Sequence, residues 1–343
     1  MPHSSYRQRP LLTDAKGSNL LLFFALLTGA LALTTPNCQA DELSVYAGAL
    51  KPEPNDTDTY SWQLEYRRPL FDDFAASFSW LNEGHITNHH RDGQAIQGWW
   101  RSKPMENIHG LSFDLGIGPY RYYDTSRPIA DERYQNLHGW GVLASAGANY
   151  RFDDHWIASL RINQVDAHGS FDTTALLAGV GYNFGGEGAS GDAFPDRTLA
   201  PAKYSWEFDG VLGDAILNSF KSQAHTVGGL GARVQLTDWL SASGTYINAG
   251  ENDTGWRDAA ALQLWAEQNV TRHVSVGVSL GAFFPAHETI NSSSTSHEPS
   301  ALVGVEAGYS FSKQWIGRFI WDRVGTGDSH DADIFLFNVG YRF

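Results

Sequence analysis

The sequence predicts an all-β chain, folded as a transmembrane antiparallel β-barrel, and three observations predict it. The first lies at the C-terminus, where Phe335, Phe337, Val339, Tyr341 and Phe343 alternate with Ile334, Leu336, Asn338, Gly340 and Arg342. Alternate residues of a strand face opposite sides. One face is therefore wholly apolar and aromatic, while the other carries Arg342, Gly340 and Asn338. That is a lipid-facing row set against a lumen. The second is an aromatic and glycine surplus, with 19 Phe, 14 Tyr, 12 Trp and 35 Gly. It comes without any apolar run beyond the N-terminal region that approaches the ~20 residues of a spanning helix. The third is an export signal at the start of the chain.

That signal reads in order. Arg7, Arg9 and Lys16 form a basic opening, Leu20 to Leu33 an apolar run, and TPNCQA a segment ending on a small residue. This is the layout of a secretory signal peptide over 1–40, with cleavage expected after Ala40. The Pro36-Asn37 pair before Cys38 argues against a lipid anchor there. Cys38 is the single cysteine and leaves with the signal, so neither a disulfide nor a cysteine metal site is expected in the mature chain. A net charge of −14 argues against nucleic acid as a partner. No cofactor is expected.

An internal duplication organises the remainder. Residues 148–184 align without a gap on 307–343, matching Tyr150 with Tyr309, Phe152 with Phe311, Trp156 with Trp315, Asp172 with Asp331 and Gly181-Tyr182 with Gly340-Tyr341. Upstream, Asn82, Gly84, Arg91-Asp92, Ala95, Gln97 and Trp99 recur as Asn248, Gly250, Arg257-Asp258, Ala261, Gln263 and Trp265. Two blocks in the same order define a tandem repeat with a period of about 160 residues.

Alternation and turn residues divide each half into strands. The first half reads as 43–50, 59–68, 74–84, 93–102, 107–123, 138–152, 156–166 and 173–184. The second reads as 205–216, 226–236, 239–250, 259–270, 273–288, 301–311, 315–325 and 332–343. Short connections (Asp72-Asp73, Asp153 to His155, Ser312 to Gln314) alternate with longer ones (85–92, 124–137, 289–300). Barrels of this class place short turns at the periplasm and long loops outside. Both ends of each half are then periplasmic.

Two architectures fit. One is a single 16-stranded barrel of porin size; the other is two 8-stranded barrels in tandem, each filled by side chains. The Gly-, Ala-, Pro- and Asp-rich stretch 185–203 has linker composition, and the first half closes on its own Gly-Tyr-Asn-Phe. Both features favour two barrels, 41–184 and 204–343.

The paired Gly-Tyr-x-Phe endings, the strand count and the alternating connections resemble the small outer-membrane barrels of the opacity-protein, porin-like type. The terminal Tyr341 and Phe343 resemble the signal read by the bacterial barrel-assembly machinery. The resemblance implies residence in the bacterial outer membrane, with its lipids, lipopolysaccharide and that machinery as partners. It leaves a homo-oligomer open, and it leaves activity open, because this architecture hosts adhesins, pores, anchors and lipid-modifying enzymes.

The most polar cluster is Asn82-Glu83-Gly84-His85 followed by His89-His90-Arg91-Asp92, with Tyr120, Arg121, Tyr122, His138 and Asp172 expected near the same rim. A His, Glu and Asp grouping at an outer rim suits a general base or a metal site; a solvated loop above a hydrogen-bonded polar plug is the plainer account. In the second half Glu83 and His85 become Ala249 and Glu251, while the loop pair Arg91-Asp92 persists as Arg257-Asp258. The shared pair is expected to tie the loop to the strand rim. The outer-membrane lipid A deacylases carry a His-x-Ser pair in a late strand, and His168-Gly169-Ser170 has that spacing. A serine nucleophile needs a base within hydrogen-bond reach. Glu83, His85, His168 and Ser170 are thus the candidates for catalysis. Three roles remain in play: a structural or surface-exposed barrel without catalysis, a small-solute channel lined by Glu65, Arg67, Arg101, Asp114, Arg161, Glu207, Arg233, Glu267, Arg318 and Asp322, and a lipid A hydrolase. Trp62, Trp80, Trp99, Trp100, Trp140, Trp156, Trp239, Trp265 and Trp315 are expected in the interfacial girdles.

Overall fold

Period-two alternation carries through into strands that close on themselves. The computed structural model describes residues 41–53, 58–71, 73–108, 110–127, 134–153, 155–184, 201, 203–221, 223–250, 256–287, 299–327 and 329–343, with His287 described by its backbone alone. The strands are β1 (Glu42–Glu53), β2 (Thr59–Phe71), β3 (Phe74–Ile86), β4 (His89–Arg101), β5 (Leu111–Ser126), β6 (Gln135–Arg151), β7 (Trp156–Ala167) and β8 (Asp172–Asn183). Then come β9 (Trp206–Leu217), β10 (Ala224–Gln235), β11 (Leu240–Asn248), β12 (Asp258–Asn269), β13 (Val274–His287), β14 (Ser300–Ser310), β15 (Trp315–Gly325) and β16 (Ala332–Arg342).

Strands β1 to β8 form one closed antiparallel barrel, and β9 to β16 a second. Closure is direct: β1 pairs with β8 from Glu42 opposite Asn183 to Glu53 opposite Asp172. Strand β9 pairs with β16 from Leu217 opposite Ala332 to Glu207 opposite Arg342. A 16-stranded barrel would instead pair β1 with β16 and β8 with β9; the two closures rule it out. The expected signal peptide, 1–40, lies outside the described residues, as does the linker 185–203 apart from residues 201 and 203.

Much of each outer wall is exposed hydrocarbon. Ile117 (63 % exposed), Leu212 (64 %), Leu230 (71 %) and Phe337 (63 %) touch little protein. Burying them requires a lipid environment. At the end that holds both termini of each barrel, aromatic side chains gather in pairs that repeat between the halves. Trp156 meets Tyr182 edge-on at 5.0 Å, and Trp315 meets Tyr341 edge-on at the same distance. Turns at this end share one device. Asp153 Oδ1 accepts from the backbone N–H of His155 and Trp156, and Thr237, Thr271 and Ser312 each use their hydroxyl oxygen on two backbone N–H groups in the same way. Such local side-chain bonds fix a tight turn. The Trp156 and His155 amides also hold the Asp153 carboxyl below its ordinary value.

Inside, the barrels are filled. In the first, Glu65 accepts from Arg67 at 2.9 Å and from Arg161 at 3.0 Å, while Arg67 donates on to Asp114 at 2.6 Å. Arg161 reaches the Tyr46 hydroxyl at 2.6 Å, and both guanidinium groups lie over aromatic rings, Arg67 on Trp99 and Arg161 on Tyr46. In the second, Arg233 bridges Glu267 at 2.7 Å and Glu306 at 2.8 Å, and Glu207 pairs with Arg318 and with Arg342. Above this ionic level Gln263 donates to Ser279 at 2.9 Å and to Asp322 at 2.8 Å, and the far end of the lumen is apolar, with Trp256 meeting Phe283 edge-on at 5.1 Å. All but one of the charges expected to line a water-filled channel instead pair with one another across an eight-stranded interior, which is only wide enough to be filled by side chains; the exception, Asp322, accepts from the Gln263 amide.

Three expectations change. The stretch 85–92 is not a long loop: β3 continues to Ile86 and β4 starts at His89, so the connection is Thr87-Asn88, with Asn88 in the left-handed region (φ 63°). Asparagine tolerates that conformation. In the first barrel the short-turn and long-loop alternation is correspondingly blurred, since 102–110 at the terminal end is longer than 87–88 at the far end. Not all tryptophans sit in girdles. Trp99 and Trp265 point into the lumens and donate to Ser77 and Ser243 at 2.8 and 2.9 Å, while Trp80 is fully buried against the second barrel.

Removing one partner of a buried ion network leaves an uncompensated charge, at a cost of about 3–5 kcal/mol. Glu65→Ala should therefore lower the stability of the first barrel by that order while leaving the second unchanged. Urea unfolding followed by the heat-sensitive gel mobility of each half checks it.

Candidate functional site

The far-end cluster of the first barrel is assembled by a kink in β3. The register between β3 and β4 shifts between Asn82 and His85. Gly84 takes φ 69° and its N–H donates to Asn82 Oδ1 at 3.1 Å. The second barrel repeats this with Gly250 at φ 65° and the same 3.1 Å bond to Asn248. The recurring Asn-x-Gly is thus a backbone device: the amide oxygen caps a residue in a conformation that costs glycine little.

The kink aims Glu83 into the lumen, where every approach is taken. Arg91 Nε and Nη2 donate to its two oxygens at 2.5 and 2.8 Å. The Tyr120 hydroxyl donates at 2.6 Å and the Thr173 hydroxyl at 2.5 Å. Arg91 also donates to the Phe171 carbonyl at 2.5 Å and to Ser170 Oγ at 3.0 Å, with the Phe171 ring 4.0 Å from its guanidinium carbon. A carboxylate bound by an arginine fork and two hydroxyls has no oxygen left to take a proton from a substrate.

The other candidates are not brought together with it. His85 is exposed on the outer face, 4.7 Å from the His90 ring and edge-on to Tyr60 at 5.9 Å. His168 is exposed; its backbone N–H donates to the Trp140 carbonyl and its carbonyl accepts from Tyr122. Ser170 receives a bond from Arg91, a cation that cannot serve as its base. Among the described residues no hydrogen bond joins His168 to Ser170. His89 instead engages Asp124 at 2.9 Å, and His90 faces the Asn82 amide at 3.3 Å. No group of three metal-ligating side chains occurs among the described residues. Asp172 accepts the Ala167 N–H at 3.0 Å and its counterpart Asp331 accepts the Thr326 N–H at 2.7 Å, so this repeated aspartate closes the loop ahead of the last strand in both halves.

The loop pair needs correction. Arg91 and Asp92 stand on consecutive residues of β4 and face opposite ways, Arg91 into the lumen onto Glu83 and Asp92 outward onto Arg323 of the second barrel. In the second half Arg257 is exposed and Asp258 accepts from the Tyr246 hydroxyl at 2.7 Å and from Asn248. In the first half the two residues therefore act separately rather than as a unit. Sequence reasoning missed Trp321, Arg323 and Asp333. Their signal was present: Arg323 and Asp333 are charges on the aromatic rows of β15 and β16.

No protein-family model matches the chain, and neither does any curated protein. Among solved structures it is similar to the N-terminal β-barrel domain of Pseudomonas aeruginosa OprF, at 16% identity over 42% of this chain and 98% of that one, TM-score 0.34. It is also similar to Ail, the attachment invasion locus protein of Yersinia pestis, at 12% identity over 42% of this chain and 99% of that one, TM-score 0.33. Over 97% of this chain and 93% of the other it is similar to the CymD monoaromatic hydrocarbon channel, at 10% identity and TM-score 0.25.

The two kinks differ in the room they leave. A Cβ on Gly84 would lie 2.2 Å from the Tyr60 carbonyl oxygen, whereas one on Gly250 would meet none of the described residues within 4 Å. Gly250→Ala should cost about 1–2 kcal/mol, the left-handed penalty alone. Gly84→Ala should cost clearly more, read as the difference between the two urea midpoints.

Proposed function

We propose that this chain is an integral protein of the bacterial outer membrane with a structural or surface-exposed role, acting neither as a solute channel nor as an enzyme. One observation carries the reading: both lumens are closed by interlocked side chains, the Glu65–Arg67–Arg161–Asp114 network in one and the Arg233–Glu267–Glu306 network in the other. Small barrels filled this way leave the loops and the outer wall as the surfaces that can meet something else. The apolar outer walls and the aromatic pairs at the terminal end support lipids and lipopolysaccharide as the surroundings, and Tyr341 and Phe343 support handling by the barrel-assembly machinery. With short turns at the periplasmic side, the second barrel's longer connections 249–257 and 288–299 would face outward. The engaged state of Glu83 speaks against hydrolysis at the rim.

Conductance of the refolded protein in a planar bilayer tests this. Folded, inserted protein should be silent or show rare small openings. Large ohmic steps would overturn the reading in favour of solute diffusion. Lipid A incubated with the protein should keep its acyl chains, and release of fatty acid lost in His168→Ala would restore the hydrolase.

A further inference from the structure

The two barrels touch along outer walls that are otherwise made for lipid, and the contact is polar. Trp321 of β15 stacks on Trp80 of β3 at 4.0 Å and lies 6.1 Å from Trp62 of β2. Beyond this stack Asp92 of β4 pairs with Arg323, which also pairs with Asp333 of β16 at 2.9 Å. With its amide turned to satisfy both neighbours, Asn218 donates to Asp333 at 3.0 Å and accepts from Arg323. His138 of β6 meets Asp331 at 2.6 Å, and the Asn136 N–H donates to Ser329 Oγ at 3.1 Å.

The duplication supplies an internal control. Arg323 and Asp333 are cross-strand partners, and the repeat places Gln164 and Thr174, also cross-strand partners, at the same positions of the first barrel. There a neutral hydrogen bond of 2.5 Å replaces the ion pair. Trp321 and Phe335 correspond to Ile162 and Leu176, which are 53 % and 52 % exposed, an ordinary lipid face. The other side of the contact differs as sharply. Asp258, the counterpart of Asp92, is satisfied within its own barrel by Tyr246 and Asn248. In the first barrel Trp80 stands where Tyr246 would be, and the amide of Asn82 is engaged by His90 and Gly84. Asp92 is left for Arg323. Each half has thus acquired one side of the contact and lacks the other.

We infer that this seam is a one-to-one recognition surface that holds the two barrels together independently of the linker. A charge on the lipid face of a barrel is costly unless covered, and each half covers the other's. The first barrel has no Arg323-type face and the second no Asp92-type face, so the contact is spent within one chain. The protein should live in the membrane as a closed pair of barrels rather than as a link in an array.

The test cuts the linker. A protease site placed within 185–203 of the full chain is cleaved after insertion into lipid nanodiscs or mild detergent, and the halves are followed by native gel and size-exclusion chromatography. Heat-sensitive mobility of each half reports folding. The halves should stay together after cleavage. Arg323→Asp, which sets three carboxylates against one another, should release them. Adding Asp92→Lys to that variant restores one base between two acids and should rejoin them. Trp321→Leu, which keeps the wall apolar, should weaken the association if Arg323→Asp fails to fold. Wild-type halves that part on cleavage, or an Arg323→Asp pair that stays joined, would overturn the inference. So would recovery of untagged full chain with tagged full chain from mixed membranes, since the seam would then not be spent within one molecule.

Discussion

Backbone hydrogen bonding in a medium without water governs everything else in this molecule. A strand in hydrocarbon must give each N–H and C=O a partner, and an open sheet edge cannot do so. The pairing of β8 with β1 and of β16 with β9 removes both edges. Closure at eight strands then fixes the bore, which is filled by side chains rather than water. The outer wall has to be apolar, so the polar side chains are driven inward to where little water remains. Buried charges persist only when paired and hydrogen-bonded. The Glu65, Arg67, Asp114 and Arg161 network follows from that sequence of constraints, and it needs no catalytic or transport role to account for it.

The duplication separates what the fold demands from what each half does with it. Both halves keep the Asn-x-Gly kink, the lumen tryptophan bonded to a serine, the loop-closing aspartate and the Trp–Tyr pair at the terminal end. All of these set backbone direction or anchor a wall. The halves part company at the far end of the lumen, where the first is plugged by Glu83 bound to Arg91 and the second by Trp256 against Phe283. The first plug is ionic and the second apolar.

Alternation is a local, period-two signal, so whatever depends on which side of a wall a residue occupies was legible in the sequence. Phe335, Phe337 and Val339 facing out, Asn338 and Arg342 facing in, and the boundaries of β7 and β15 follow from it. The stretch from His85 to Asp92 did not read correctly because polar residues are usual both in loops and in strands that rise past the membrane edge; only Thr87-Asn88 leaves the ladder. Trp99 reads like Trp100 by residue type, yet one donates to Ser77 in the lumen and the other lies on the outer wall, a difference set by register alone. His168 and Ser170 have the right spacing, but spacing does not reveal that Arg91, far off in sequence, already holds the serine.

The partner of Asp92 was beyond reach for a deeper reason. Which part of an outer wall is covered by another barrel depends on contacts between residues more than two hundred positions apart, and no periodicity encodes it. What the sequence does carry is an inconsistency: a charge on a row that should be greasy. Arg323 and Asp333 break the pattern that Phe319, Trp321, Phe335 and Phe337 obey, and the sister positions Gln164 and Thr174 break it more gently. In a membrane barrel a charge on the lipid row calls for a cover. The neutral pair of the first barrel is satisfied within that barrel, whereas Arg323 of the second is shared between Asp333 of its own wall and Asp92 of the neighbour. Paired barrels, rather than two barrels that happen to share a chain, are the arrangement in which every outward charge of the seam has a partner.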